Sequence, residues 1–98
     1  MELVGRHLIV LKYVILHQPV GIIKLSQLLN MPEHKIRYSL RLLEQEGLVE
    51  ASTAGARATP EVKKVLKHLQ TVFREIEEKA AEMRKVVDEI ENMEFTTS

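Results

Sequence analysis

The chain has 98 residues, 45% hydrophobic and 29% charged, enough for one compact domain with an appended helix and too apolar for a disordered chain. Its 14 bases balance 14 acids, and a formal charge of zero speaks against coating nucleic acid by bulk charge, so any such role must rest on a local patch. There is no cysteine, which removes disulfides, thiolate metal sites and thiol nucleophiles and fits a reducing cytoplasm.

In chain order, Leu3 to His17 reads as a first helix. Val4, Leu8, Leu11 and Ile15 recur at helical spacing, and a second stripe of Leu3, His7, Val10 and Val14 lies beside them. A helix apolar on nearly every side is buried on more than one face, here against a partner subunit or the C-terminal helix. The run HLIVLKYVILH is too short for a membrane span, which needs about 20 apolar residues, and no small-residue cleavage site follows it. Pro19 ends the helix and VGII reads as an extended link. Lys24 to Leu29 reads as a short second helix with Leu25, Leu28 and Leu29 inward. Asn30 suits a left-handed C-terminal position. Pro32 fits the start of a third helix, where its missing N–H costs nothing, Glu33 suits the positive end of the helix, and Gly47 closes it. Leu48 and Val49 begin a strand, STAGA turns, and ARAT returns as a second strand. From Pro60 to Met93 nothing breaks a helix.

The third helix has two faces. Ile36, Leu40 and Leu43 form the inward stripe, while His34, Lys35, Arg37, Tyr38 and Arg41 stand opposite, with Glu44 and Glu46 at the C-terminal end. That order opposes the helix dipole, which favours acids first and bases last. It makes sense if the bases meet phosphates and base edges; the plainer alternative is a solvated charged face.

The segment IIKLSQLLNMPEHKIRYSLRLLEQEGLVE resembles the helix-turn-helix core of winged-helix transcription regulators, in the broad style of the MarR-like and PadR-like families. The features that carry it are Leu25 and Leu29, the turn Asn30-Met31, Ile36 and Leu40, and the ending Leu43, Glu44, Glu46, Gly47, Leu48, Val49, within about residues 6–60. The resemblance implies a mainly α fold of α+β winged-helix type, with a helix-turn-helix and a short β-hairpin wing, to which the sequence after Pro60 adds a long C-terminal dimerisation helix. It also implies that the recognition helix, residues 32–46, enters a major groove while the hairpin touches the flanking backbone. On that basis Lys35, Arg37, Tyr38 and Arg41 are expected to carry most contacts to double-stranded DNA, assisted by His34, Lys24, Gln27 and Arg57. Three positions depart from the usual pattern: Ser26 stands where alanine is common, Asn30 where glycine is, and Pro32 where serine or threonine is. The hairpin holds one base, Arg57.

Along the last helix Val62, Leu66, Leu69, Phe73, Ile76, Ala80, Met83, Val87 and Ile90 alternate at spacings of four and three, a sustained heptad seam. At 1.5 Å per residue such a helix is about 50 Å long, more than a small winged domain can cover, so a homodimer through this helix is expected, with helix 1 as a further contact. The helix starts basic and ends acidic. Antiparallel pairing sets base beside acid and matches Leu66 with Ile90, Leu69 with Val87, Phe73 with Met83 and Ile76 with Ala80 of the other copy in a single register. Packing on helix 1 is the alternative use of the seam. Residues 1–58 hold seven bases against five acids and residues 59–98 seven against nine, so a mildly basic head precedes an acidic tail.

The expected organisation is a DNA-binding domain at 1–60, a coiled-coil helix at 61–94 and a disordered tail at 95–98. His7, His17, His34 and His68 are scattered and read as solvated or structural, with no metal site. Ser26, Ser39 and Ser52 have no evident base, and no glycine-rich phosphate loop occurs, so no enzyme and no cofactor are expected. An effector pocket at the junction of the first and last helices is conceivable, but nothing names a ligand. The reading is therefore a dimeric, sequence-specific, cytoplasmic transcriptional regulator. The alternatives are a chromatin-like architectural protein and a winged-helix assembly module that binds protein.

Overall fold

A computed structural model of the chain describes residues 2–93, with side chains from residue 5 onward. The expected tail at 95–98, and the side chains of Leu3 and Val4, lie outside the described residues. The order is α1 (Glu2–His17), α2 (Ile22–Leu29), α3 (Glu33–Gln45), β1 (Val49–Ser52), β2 (Gly55–Ala58) and α4 (Glu61–Glu91). The fold is mainly α, with one antiparallel hairpin. It divides into two units, one ending at Lys63 and one starting at Lys64, so the first turn of α4 belongs to the head.

Of the two stripes of α1, the one through His7 faces the core. Val10 and Val14 are wholly buried and Leu11 nearly so, whereas Ile15, expected inward, is 41% exposed. Periodicity could not choose between stripes that are both apolar. Ile9 and Leu16 are exposed on the outer side, so within this chain α1 is not buried on every face.

The link after α1 is shorter than expected, and α2 starts at Ile22 rather than Lys24. Gly21 is extended and its carbonyl accepts the Leu25 N–H at 3.1 Å, which draws Ile22 and Ile23 into the first turn. Only Val20 behaves as a strand: its N–H donates to the Ala56 carbonyl at 3.1 Å and its carbonyl accepts from the Ala56 N–H at 2.8 Å. Leu25 is fully buried; Leu28, expected inward, is exposed.

The turn between α2 and α3 is closed from both sides. Asn30 adopts the left-handed conformation (φ 51°, ψ 47°), its N–H and that of Met31 both donate to the Ser26 carbonyl, and the Ser26 hydroxyl donates to the Met31 carbonyl. Ser26 is thus more than a small residue that fits. Pro32 caps α3, its carbonyl accepting the N–H groups of Lys35 and Ile36. Gly47, at φ 75°, ends α3 and lets the Leu48 N–H return to the Leu43 carbonyl at 2.9 Å.

The inward line of α3 is Ile36, Ser39 and Leu43, not Ile36, Leu40 and Leu43; Leu40 is only half-buried, while Ser39 has no exposed surface. In the hairpin Val49 pairs with Ala58, Glu50 with Arg57, Ala51 with Ala56 and Ser52 with Gly55, leaving Thr53 and Ala54 as the turn. Thr59 ties its end to the α3 terminus, the hydroxyl donating to the Gly47 carbonyl at 2.5 Å and the N–H to the Leu48 carbonyl at 2.9 Å.

Val62, the first position of the heptad seam, is buried in the head, so the open seam starts at Leu66. Beyond it α4 exposes Leu66, Phe73, Ile76, Met83, Val87 and Ile90, recurring on one side of the helix. Among the described residues no helix is long and apolar enough to cross a membrane.

Candidate nucleic-acid interface

Burying Ile36, Ser39 and Leu43 forces the other side of α3 outward. His34, Lys35, Arg37, Tyr38 and Arg41 are all exposed, as the sequence pattern requires. They do not form one patch. Arg37 and Arg41 line a cleft of about 350 Å³ between α3 and the hairpin, floored by Val20, Leu40, Val49, Ala51 and Ala56. Arg37 also lines the hollow at the start of α2, with Lys24 and Gln27. Those four side chains therefore share a continuous surface from the end of the Val20 link to the middle of α3. Lys35 stands on the opposite flank, beside Gly5, Arg6, Ile9 and Asn30. His34 is exposed near the N-terminal end of α3.

Among the described residues neither Arg37 nor Arg41 is in an ion pair, although Glu44 lines the same cleft as both. Two guanidiniums left unpaired on one helix face offer planar double donors to any acceptor that enters from solvent. Arg57 is differently placed. It is exposed on β2 directly opposite Glu50, and strand alternation puts both on the face away from Ala51 and Ala56, the residues that line the cleft. The hairpin side nearest α3 is thus uncharged.

Tyr38 leans toward α1. Its ring centroid lies 5.8 Å from that of His7, with the planes tilted by 47°. The same imidazole hydrogen-bonds through Nδ1 to the Ser39 hydroxyl oxygen at 2.8 Å. Ser39 thus has a nitrogen base beside it, contrary to the sequence reading. Its complete burial denies the hydroxyl a substrate, and the pair is a structural link between α1 and α3. Burial lowers the His7 pKa below its ordinary 6.5, with a smaller push in the same direction from the Arg6 guanidinium. Arg6 Nε is itself buried with no hydrogen-bond partner among the described residues. The spacing held a signal for Ser39, three residues after Ile36 and four before Leu43, but a serine carries no hydrophobic mark. Its partner lies 32 residues away.

A family model described as the CggR N-terminal DNA binding domain matches residues 3–73, from the start of α1 to Phe73 in α4. It spans α1 to β2 and the first part of α4, with the start of the seam. No curated protein matches the chain.

Proposed function

The chain belongs to the family of CggR N-terminal DNA binding domains and is a DNA-binding regulator, and we propose that it acts as a cytoplasmic homodimer reading a specific sequence with α3 in the major groove. The observation that carries this reading is the pair of exposed guanidiniums of Arg37 and Arg41, unpaired among the described residues and one turn apart on the face opposite Ile36, Ser39 and Leu43.

The major groove is about 12 Å wide and admits an α-helix. Arg37 and Arg41 are suited to paired hydrogen bonds with guanine edges, and Tyr38 adds a hydroxyl and a ring beside them. Lys24 and Gln27, in the hollow shared with Arg37, suit the adjacent phosphates, which position the helix without reading sequence. Lys35 and His34 extend the contact on the far flank. Arg57 is the weakest member, because Glu50 opposes it. The zero net charge favours a selective reader over a protein that coats DNA, whose affinity would come from phosphate neutralisation alone.

The second half of the proposal is the dimer. The exposed seam of α4 needs a cover, and a second copy in antiparallel register supplies one with matched layers and opposite charges. In this reading residues 1–60 are the DNA-binding domain and 61–94 the dimerisation helix.

The test is Arg37→Ala combined with Arg41→Ala, measured on a duplex that the wild-type protein enriches from a random pool. Loss of two base-reading contacts is expected to weaken binding by about 2–6 kcal/mol, with the urea unfolding midpoint unchanged. Wild-type affinity in that variant refutes the assignment of α3.

A further inference from the structure

Among the described residues, one side-chain hydrogen bond joins α1 to α3. Ser39, wholly buried, hydrogen-bonds to His7 Nδ1 at 2.8 Å, and the same imidazole meets the Tyr38 ring at 5.8 Å between centroids. Ser39 and Tyr38 are consecutive, one turned into the core and the next 46% exposed on the face proposed to read DNA. One side chain of α1 therefore holds two adjacent residues of α3, one from inside and one from outside.

The chemistry of the two contacts differs. Burial of apolar surface is non-directional and tolerates small rotations of a helix about its axis. A hydrogen bond prefers a narrow range of angles, so the Ser39 hydroxyl fixes the plane and position of the imidazole. The fixed imidazole is then a wall for the Tyr38 ring, which has no hydrogen-bond partner of its own among the described residues and would otherwise sample several rotamers. Tyrosine brings a large contact surface at low entropic cost only if its ring is held before binding.

We infer that His7, anchored by Ser39, is a positioning residue for DNA reading: it holds the Tyr38 ring in the orientation that meets the DNA. This rests on the proposal that α3 is the recognition helix. His7 itself touches no DNA; it acts through Tyr38. A purely structural His7–Ser39 pair would affect stability and nothing else, which separates the two roles.

The experiment uses the full chain, the enriched duplex and a scrambled duplex of the same length and composition. His7→Asn keeps a polar partner for Ser39 but has no ring. Its urea midpoint is expected to stay close to wild type, while affinity for the enriched duplex falls about tenfold, worth about 1.4 kcal/mol, and that for the scrambled duplex changes by less than about twofold. Tyr38→Ala is expected to lose a similar factor. The double variant should lose no more than Tyr38→Ala alone, because a residue that acts through another has nothing left to position. Losses that multiply in the double variant, an equal fall on both duplexes, or wild-type selectivity in His7→Asn would each overturn the inference. The arginine double variant keeps the two levels apart. If it binds the enriched duplex as well as wild type, the reading of α3 fails. If it loses binding while His7 and Tyr38 act independently, only the positioning role fails.

Discussion

Gly55 and Val20 approach backbone to backbone: a Cβ on Gly55 would sit 2.7 Å from both the carbonyl carbon and the nitrogen of Val20. The contact lies where the hairpin meets the link between α1 and α2, next to the paired hydrogen bonds of Val20 and Ala56. Gly55 also holds φ 129°, which side chains with a Cβ rarely adopt. Gly55→Ala is therefore expected to cost about 2 kcal/mol or more from strain and crowding together. A urea titration reads this as a lowered midpoint at constant slope; an unshifted midpoint would contradict the close approach.

Asn30 offers the milder case. Its left-handed conformation is common for asparagine and costs a β-branched residue about 1–2 kcal/mol. Asn30→Val should lower stability by that amount, and Asn30→Gly should leave it unchanged or slightly improved. Thermal unfolding of the two variants side by side gives the comparison, and equal melting temperatures would argue against a conformational role.

How much of this was legible follows from where each signal sat. The bounds of α3 could be read because Pro32 and Gly47 act through their own backbones. The start of α2 could not, because Ile22 and Ile23 look like strand residues and only the pairing of Val20 with Ala56 shows where the extended segment ends. The inward stripe of α1 was ambiguous because both stripes are apolar, and the choice is made by α3 and by the His7–Ser39 bond. The bases of the interface were found as exposed residues, yet their division into a surface with Lys24 and Gln27 and a separate flank with Lys35 depends on neighbours distant in sequence.

His7 gives a pH dependence with a definite sign. Its pKa is lowered in the folded state, so the unfolded chain takes up the proton first as pH falls. The contribution of the neutral ring to stability is whole above the ordinary value of 6.5 and is lost progressively as pH drops from there through the folded-state pKa. Urea midpoints across that range should fall toward acid in the wild type and fall less in His7→Asn. Parallel profiles would remove His7 as the source.

Glu50 is placed to weaken the wing. It faces Arg57 across the hairpin, so an incoming phosphate meets a base and an acid together. Glu50→Gln should raise affinity for scrambled DNA by about twofold at low salt, with the gain vanishing at high salt as screening removes the acid's influence. Arg57→Ala should weaken all duplexes alike. A gain confined to the enriched duplex would mean that the hairpin reads sequence.

If α4 pairs with a second copy, Ile76→Glu places a charge in the centre of the seam. Sedimentation should show a monomer, with the head still cooperatively folded. Nitroxide labels at Glu78 should then lie close together across an antiparallel dimer, and labels at Lys64 far apart. Labels close together at both positions would establish parallel pairing.

The open seam of α4 has a consequence for when the protein is fully folded. A single helix in water gains little from its own hydrogen bonds, and length alone leaves it marginal. Leu66, Phe73, Ile76, Met83, Val87 and Ile90 contribute only when something dries them. Helix content in the C-terminal part should therefore climb with protein concentration, a mass-action effect that a folded head does not share. Two heads held on neighbouring half-sites would raise the local concentration of their own tails, so DNA would act as a template for completing the fold. By the same linkage, each tail that pairs would tighten the grip of both heads, and a dilute regulator would commit to its site in one cooperative step.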